Sequence, residues 1–418
     1  MTPHLLILGA GRHQLPLLHQ AKERGFRTVI ADNLRDAPGR AIADISTLCD
    51  LRDVAACVDL GRRHRIVAVA TSGSDAAVVT LAEVADRLGL PCYITPQGAR
   101  VATNKLEMKQ ALRAAGVPMA EYHVVRRGGP APAMADLAPA VVVKPVDSQG
   151  QRGTSLARTE AELESAVQLA LHHSPSGAAV AEAFVDGCEV TANAWLEDGT
   201  PALLVVNDRV TYNPYPALGI AFQHVYPSVH AAAHAEAVRE MMIRIAKVYG
   251  MREGPLYVQM IVGEAGLCVM EAAARVGGGH ENGLLPLVSG VDVTSRLLDI
   301  QIGTRSAPIA QNIDTVASRR HALVNFLLAH AGHIASCHGM EGDERMEGLS
   351  EGAFYVQPGN KAMGMINSLG RVGYFIAHAG TRPELMRLAR THYDSLSLRD
   401  PDGRELLFWP EPERLIGA

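Results

Sequence analysis

"VMEAAARVGGGHE" occupies residues 269–281 and decides how the chain reads. An apolar run ends in a carboxylate, Glu271. Alanines follow, then Arg275, three glycines, His280 and Glu281. The longer stretch "PLYVQMIVGEAGLCVMEAA" (255–273) holds two apolar runs around "GEAG", a spacing that predicts a β-hairpin. Counting outward from the turn brings Gln259 and Glu271 close together on one face. Two oxygen donors on a sheet face, opposite a phosphate-binding loop, suit Mg²⁺. A buried Gln–Glu hydrogen bond is the alternative.

Upstream, "AAVAEAFVDGCEVTANAWL" (178–196) reads as strand, turn, strand, and "PALLVVNDRV" (201–210) as another strand. Glu182 and Glu189 stand seven apart across the turn. The backbone from Ala183 to Val185 could bond an adenine edge, and Glu189 could accept from ribose hydroxyls. Two solvated carboxylates are the plainer alternative. In "AVVVKPVDSQGQRGTS" (140–155), Lys144 ends an apolar strand, where its charge is costly unless an anion compensates. The loop after it holds Ser148, Gly150, Gly153, Thr154 and Ser155, whose N–H groups could face phosphate oxygens. No G-K-[ST] follows the glycines, so this is not a Walker A loop. A surface turn is the alternative. This middle third is α+β.

The first 97 residues differ. "LLILGAG", "RTVIAD" and "IVAVATSG" read as strands, separated by helical periodicity in "LPLLHQAKERG" and "VAACVDLGRRHR" and followed by "DAAVVTLAEVADRLG". That alternation predicts a parallel sheet with helices on both faces. "GAGR", with Asp32 at ribose distance, resembles part of a dinucleotide fingerprint. Gln14 stands at its third glycine position, so a tight strand-to-helix turn is the better reading. "TNKLEMKQALRAAG" (103–116) predicts a charged amphipathic helix closed by Gly116, and 126–140 a loop suited to a hinge. "RHALVNFLLAHAGHI" (320–334) opens a third segment that ends in a helix before residue 397.

With 48% apolar and 20% charged residues, the 418-residue composition is that of a globular protein of two or three domains. A net charge of −5 gives no basic footprint for nucleic acid. No apolar run is long enough to span a bilayer, and "MTPHLLILGAG" has no signal-peptide pattern. Six scattered cysteines without C-x-x-C spacing argue against zinc and disulfides and for a reducing cytoplasm.

The order of these pieces resembles the ATP-grasp superfamily, in its carboxylate–amine ligase and biotin-carboxylase-like branches, along nearly the whole chain. The order is a lysine helix, a strand lysine with a Gly/Ser loop, E-(x)6-E, and a hairpin carrying Gln259, Glu271 and Arg275 before glycines. The resemblance implies an α/β and α+β ATP-grasp fold. It would comprise an N-terminal parallel domain (1–97), a two-lobed ATP-grasp domain (98–318, lid about 118–195) and a C-terminal α+β domain (319–418). It further implies that Lys105 and Lys144 bind ATP phosphates, that Glu182 with the backbone of Ala183 and Val185 holds adenine, and that Glu189 holds ribose. Gln259 and Glu271 would bind Mg²⁺, with Mn²⁺ as an alternative ion. Arg275 would stabilise the acyl phosphate, with Arg209 near the substrate and His280 either orienting substrate, taking a proton, or lying in an ordinary loop. Relatives read E-x-N-x-R where this chain has Ala273, and an acid where it has Gln259, so metal binding is expected to be weaker. The implied activity is ATP-dependent ligation of an acid to an amine through an acyl phosphate. The alternatives are a bicarbonate-activating carboxylase or a nucleotide-binding regulator. Small-molecule acid and amine partners are implied, without nucleic acid or membrane, and a homodimer is left open.

Overall fold

A computed structural model describes residues 2–130, 132–310, 320–340, 347–411 and the backbone of 415–416. Strands β1 (His4–Leu8), β2 (Arg27–Asp32), β3 (Ile45–Leu48) and β4 (Ile66–Ala70) form a parallel sheet in the order β3-β2-β1-β4. Leu5 to Leu8 are fully buried, as expected of a strand covered on both faces by helices α1 (Leu15–Glu23), α2 (Val54–His64) and α3 (Asp75–Leu88). The strand β3 has no counterpart among the expected elements. It lies at the sheet edge, half exposed on alternate residues, and so lacks the continuous apolar run of its neighbours. At "GAGR" the carboxylate of Asp32 accepts from the Ala10 N–H at 2.7 Å, so it braces the turn.

The helix expected over 103–116 is α5 (Lys105–Ala114), and a separate helix, α4 (Pro96–Thr103), precedes it. Asn104 separates them in extended conformation. Its side chain accepts from the Leu106 and Glu107 N–H groups, which makes it the N-cap of α5. Gly116, at φ +71°, closes the segment.

A small antiparallel sheet follows, β5 (Tyr122–Arg126), β6 (Val141–Pro145), β7 (Ser155–Ala157) and β8 (Ala178–Ala183), in the order β5-β8-β6-β7. Helix α6 (Glu160–His172) covers it, burying Leu163 and Val167 against Val141 and Val143. Full burial of a Val or Leu contributes about 1.5–3 kcal/mol, so this lobe has a core of its own.

The third layer is a large antiparallel sheet. It contains β9 (Cys188–Glu197), β10 (Thr200–Tyr212), β11 (Ile220–Tyr226), β12 (Gly254–Gly263), β13 (Gly266–Ala273) and β14 (His321–Ala329). After the short β15 (Gly332–His333) and β16 (Ser336–His338) come β17 (Leu349–Phe354), the short β18 (Lys361–Ala362) and β19 (Gly373–Ala379). The path is β13-β12-β9-β10-β11-β14-β19-β17. Because β11 pairs with β14, one sheet runs past residue 319 into the C-terminal segment. Helix α7 (Ala235–Tyr249) packs beneath it through Val238, Met242 and Ile245. Helices α8 (Glu281–Ser289) and α9 (Val293–Gln301) follow the glycine loop, and α10 (Arg382–Ser395) follows β19. Among the described residues no helix is long and apolar enough to cross a membrane.

Candidate active site

The hairpin β12–β13 carries the oxygen donors. Gly263 pairs with Gly266, and strict counting from there would set Gln259 against Met270. A β-bulge after Val269 inserts one residue, so Gln259 faces Glu271 instead. Tyr257 and Ala273 form the next pair in the same register. The bulge therefore turns Glu271, Gln259 and Tyr257 toward one cavity, of about 330 Å³. Val258, Met260 and Ala272 turn to the core beneath. Ala273, 2% exposed, offers no ligand atom.

Lys144, at the end of β6, and Glu182, near the end of β8, meet across the small sheet, with Nζ 2.8 Å from Oε1. The other Glu182 oxygen lies 3.1 Å from the Nζ of Lys109 on α5. Burial alone would raise the Glu182 pKa, but Lys144 and then Lys109 hold it below the ordinary range. Burial acts to lower the Lys144 pKa, and the Glu182 carboxylate outweighs it and raises it. At Lys109 burial wins, and the pKa is lowered. Two ammonium groups thus share one carboxylate, which leaves local positive charge beside the cavity.

Lys105 opens α5 and donates to the Ser148 carbonyl at 2.7 Å. Ser148, Gly150 and Thr154 line the cavity. Gly150 and Gln151 have φ of +66° and +59°, which turns the loop back on itself. Gly153 faces away: a Cβ there would lie 2.9 Å from the His173 side chain. Ser155 is buried in β7. Ser368, from the segment before β19, donates through its hydroxyl to Gln151 and through its N–H to the Gly150 carbonyl at 3.2 Å. The C-terminal segment thereby holds the glycine loop.

Ala183 and Val185 line the cavity, though the Ala183 N–H is already given to the Glu121 carbonyl. Glu189 accepts from Arg209, whose second nitrogen donates to Gly219 O at 2.8 Å. Burial favours a higher pKa for Glu271, but Lys105, Lys144, Arg275 and Arg209 outweigh it, so the carboxyl stays ionised below the usual range.

Arg275 grips Asp75 with two bonds, at 2.5 and 2.6 Å, and its guanidinium lies 5.4 Å from the Tyr257 ring centroid. Asp75 opens helix α3 of the N-terminal domain, so that domain supplies part of the wall. His280 is not on the wall. Its Nε2 is 2.6 Å from the Tyr355 hydroxyl, and its ring stacks on Tyr374 at 3.3 Å and near His13 at 4.5 Å. Burial, reinforced by His13, holds its pKa well below the usual value. Neutral and enclosed, it braces the junction of the N-terminal and C-terminal parts.

Several wall residues escape local sequence reading. His224 on β11 places Nδ1 2.8 Å from Glu281 Oε1, while its Nε2 has no hydrogen-bond partner among the described residues. Burial works to raise the Glu281 pKa, but His224 and the Gly279 N–H lower it overall. Arg371 reaches the wall from the C-terminal segment. Lys109 did leave a signal: it shares the buried stripe of α5 with Met108 and Leu112.

A metal ion fits this donor set in part. Among the described residues no three His, Cys, Asp or Glu side chains converge on one point. Glu271 and the Gln259 amide oxygen could hold one Mg²⁺ together with nucleotide oxygens.

An ATP-grasp domain family model matches residues 137–282, and the model for L-amino acid ligase C-terminal domain 2 matches 325–399. A D-alanine–D-alanine ligase of Desulfotalea psychrophila is 30% identical over 230 residues, covering 52% of this chain and 70% of that protein. A formate-dependent phosphoribosylglycinamide formyltransferase of Vibrio cholerae is 25% identical over 294 residues, 68% of this chain and 72% of that one. The solved L-amino acid ligase from Bacillus licheniformis shares the fold, with a TM-score of 0.78 at 17% identity over 96% of this chain and 99% of that one. By these matches the chain belongs to the ATP-grasp superfamily, among its ATP-dependent carboxylate–amine ligases.

Proposed function

We propose that this enzyme joins an amino acid or similar small acid to an amine through an acyl phosphate, releasing ADP and phosphate. The observation that carries this reading is the charge layout of the cavity. The shared Lys109–Glu182–Lys144 cluster and Lys105 supply cations for a triphosphate, and Glu271 faces them with Gln259. Bound Mg²⁺ would neutralise phosphate oxygens there.

The acid's carboxylate oxygen attacks the γ-phosphorus, and the bond from that phosphorus to the β–γ bridging oxygen breaks as ADP leaves. The amine nitrogen then attacks the acyl carbon, the bond to phosphate breaks, and the nitrogen gives up a proton. His224 is suited to accept it: Nδ1 lies 2.8 Å from Glu281 Oε1, and the buried Nε2 has no hydrogen-bond partner among the described residues. His280 is left as a positioning residue. Arg275 reaches the same phosphoryl group only if it releases Asp75 or shares its guanidinium with it. The backbone of Gly278 lines the cavity, where an N–H could meet developing negative charge, whereas the Gly279 N–H is given to Glu281.

The test is substrate-dependent turnover over a panel of amino acids and small acids, with mass detection of products. ADP and phosphate, with an amide-linked product and no bicarbonate requirement, support the reading. AMP and pyrophosphate, or strict bicarbonate dependence, would overturn it.

A further inference from the structure

Ser368 stands in the strap that precedes β19, and all three of its polar groups are engaged. Its N–H donates to the Gly150 carbonyl at 3.2 Å, its hydroxyl donates to the Gln151 side-chain oxygen, and its carbonyl accepts from Arg371 Nε at 2.9 Å. The Arg371 guanidinium in turn sits 4.0 Å over the ring of Phe326, which is fully buried in β14. A continuous chain of contacts therefore runs from the large sheet to the tip of the glycine loop. Apolar packing does not make this junction. The strap's Ile366 and Leu369 are 70% and 68% exposed, whereas Ser368 is 8% exposed. The strap is also shaped to present that serine. Ser368–Gly370 form a short 3₁₀ turn, in which the Asn367 side chain accepts from the Leu369 N–H at 2.9 Å. The strap then crosses itself so closely that a Cβ on Gly370 would lie 2.1 Å from the Gly364 carbonyl oxygen.

The loop tip has donors to spare. Among the described residues the N–H groups of Gln149, Gly150 and Gln151 make no hydrogen bond. Gly150 and Gln151 have φ of +66° and +59°, and a non-glycine residue holds such a conformation only when its surroundings impose it. The two bonds from Ser368 are what impose it here. In a trans peptide the C=O and N–H point in opposite directions. With the Gly150 carbonyl drawn to Ser368, the Gln151 N–H is turned away from the strap. Unpaired N–H groups fixed in a turn of this kind receive a phosphate oxygen.

We infer that Ser368 is a positioning residue for the nucleotide: it sets the Gly150–Gln151 peptide so that the Gln151 N–H meets a β- or γ-phosphate oxygen. This rests on ATP being the ligand of the cavity, as in the function proposed above. Ser368 acts through the loop and needs no contact of its own with the nucleotide. The C-terminal segment thereby contributes to triphosphate binding through a loop of the small sheet.

The test titrates wild type, S368A, S368P, Q151G and S368A/Q151G by calorimetry. The ligands are the β,γ-imido analogue of ATP with Mg²⁺, and AMP, which lacks the two outer phosphates. S368A removes the hydroxyl, and S368P removes the N–H as well. Proline suits the first position of a helical turn and the extended Asn367 before it, at φ −158° and ψ −179°. One neutral hydrogen bond corresponds to about 2- to 10-fold in affinity. S368A should weaken the analogue by about that factor, and S368P by about that factor again. AMP affinity should change less than about twofold in each variant, which also reports an intact fold. Q151G keeps the turn and removes the acceptor, so S368A should have less than about a twofold effect in that background. Equal losses for the analogue and AMP, unaltered analogue affinity in S368P, or the same S368A effect with and without Gln151 would overturn the inference. So would a wild type that does not bind the analogue. Wild type that binds it, shows this pattern and ligates nothing refutes the ligase reading and upholds the role of Ser368.

Discussion

Replacing Glu182 by Gln keeps the side-chain volume and removes the charge that two lysines share. The side chains of Lys109, Lys144 and Glu182 are 1%, 11% and 7% exposed, so water reaches Lys144 from the cavity and hardly reaches Lys109. Stripping one partner from a buried ion pair costs about 3–5 kcal/mol. Lys144 can rehydrate toward the cavity and Gln keeps one acceptor, so we take the lower end, about 3 kcal/mol, or roughly a hundredfold in the local unfolding equilibrium of the β5–β8 sheet. Lys109 can limit the loss by shedding its proton, since burial already lowers its pKa. In Glu182→Gln the folded state then binds fewer protons than the unfolded one, so the penalty shrinks as pH rises. Hydrogen exchange of β6 and β8 at pH 7 and 9 reads this directly. Removing the second charge as well, in Lys109→Met/Glu182→Gln, should recover most of the protection, because replacing both partners is far milder than orphaning one. Protection in Glu182→Gln within twofold of wild type at pH 7, or a double variant no better than the single, would refute this account of the cluster.

Ala273→Asn puts an oxygen beside Glu271 in the register that faces Tyr257, and should lower the Mg²⁺ concentration for half-maximal turnover several-fold. An unchanged Mg²⁺ titration would exclude that position from the metal's reach. A second prediction concerns His13, whose burial pulls its pKa down to about 4, only partly offset by Glu281. Between its ordinary value near 6.5 and that pKa the unfolded chain binds a proton that the folded one refuses. Stability should therefore fall as pH drops through this window, by at most on the order of 3 kcal/mol from this group. His13→Asn should flatten that part of the curve in denaturant titrations, and an identical acid loss in both proteins would contradict the assignment.

Local pattern is enough for much of this molecule. The fully buried β1 and the hairpin at "GEAG" announce themselves in a few adjacent residues, and Lys144 is conspicuous because a charge at the end of an apolar strand demands a reason. The edge strand β3 is illegible because half its residues face solvent. The wall of the cavity is illegible for another reason. Asp75 and Arg275 are 200 residues apart, and His224 and Glu281 are 57 positions apart on different elements, so no window of sequence contains either pair. Helical periodicity does mark Lys109, since it falls on the stripe of Met108 and Leu112, but what a lysine does on such a stripe depends on Glu182, which arrives from another sheet. His280 shows the converse. Its neighbours in sequence suggest chemistry, and tertiary packing encloses it between tyrosines.

The bulge after Val269 makes the hairpin behave like a reading frame. Side chains alternate between cavity and core with a period of two, so a single residue gained or lost between Gly263 and Glu271 would exchange the two faces. Glu271 would then point at the buried apolar layer that holds Val258, and Met270 after a gain, or Ala272 after a loss, would take its place opposite Gln259. Strand pairing would survive such a shift, and the carboxylate would not remain in the cavity. The spelling of the turn is consequently under little pressure at Glu264 and Ala265. The number of residues it contributes is under a great deal, and a deletion there would read as conservative in composition while turning Glu271 away from Lys105 and Lys144.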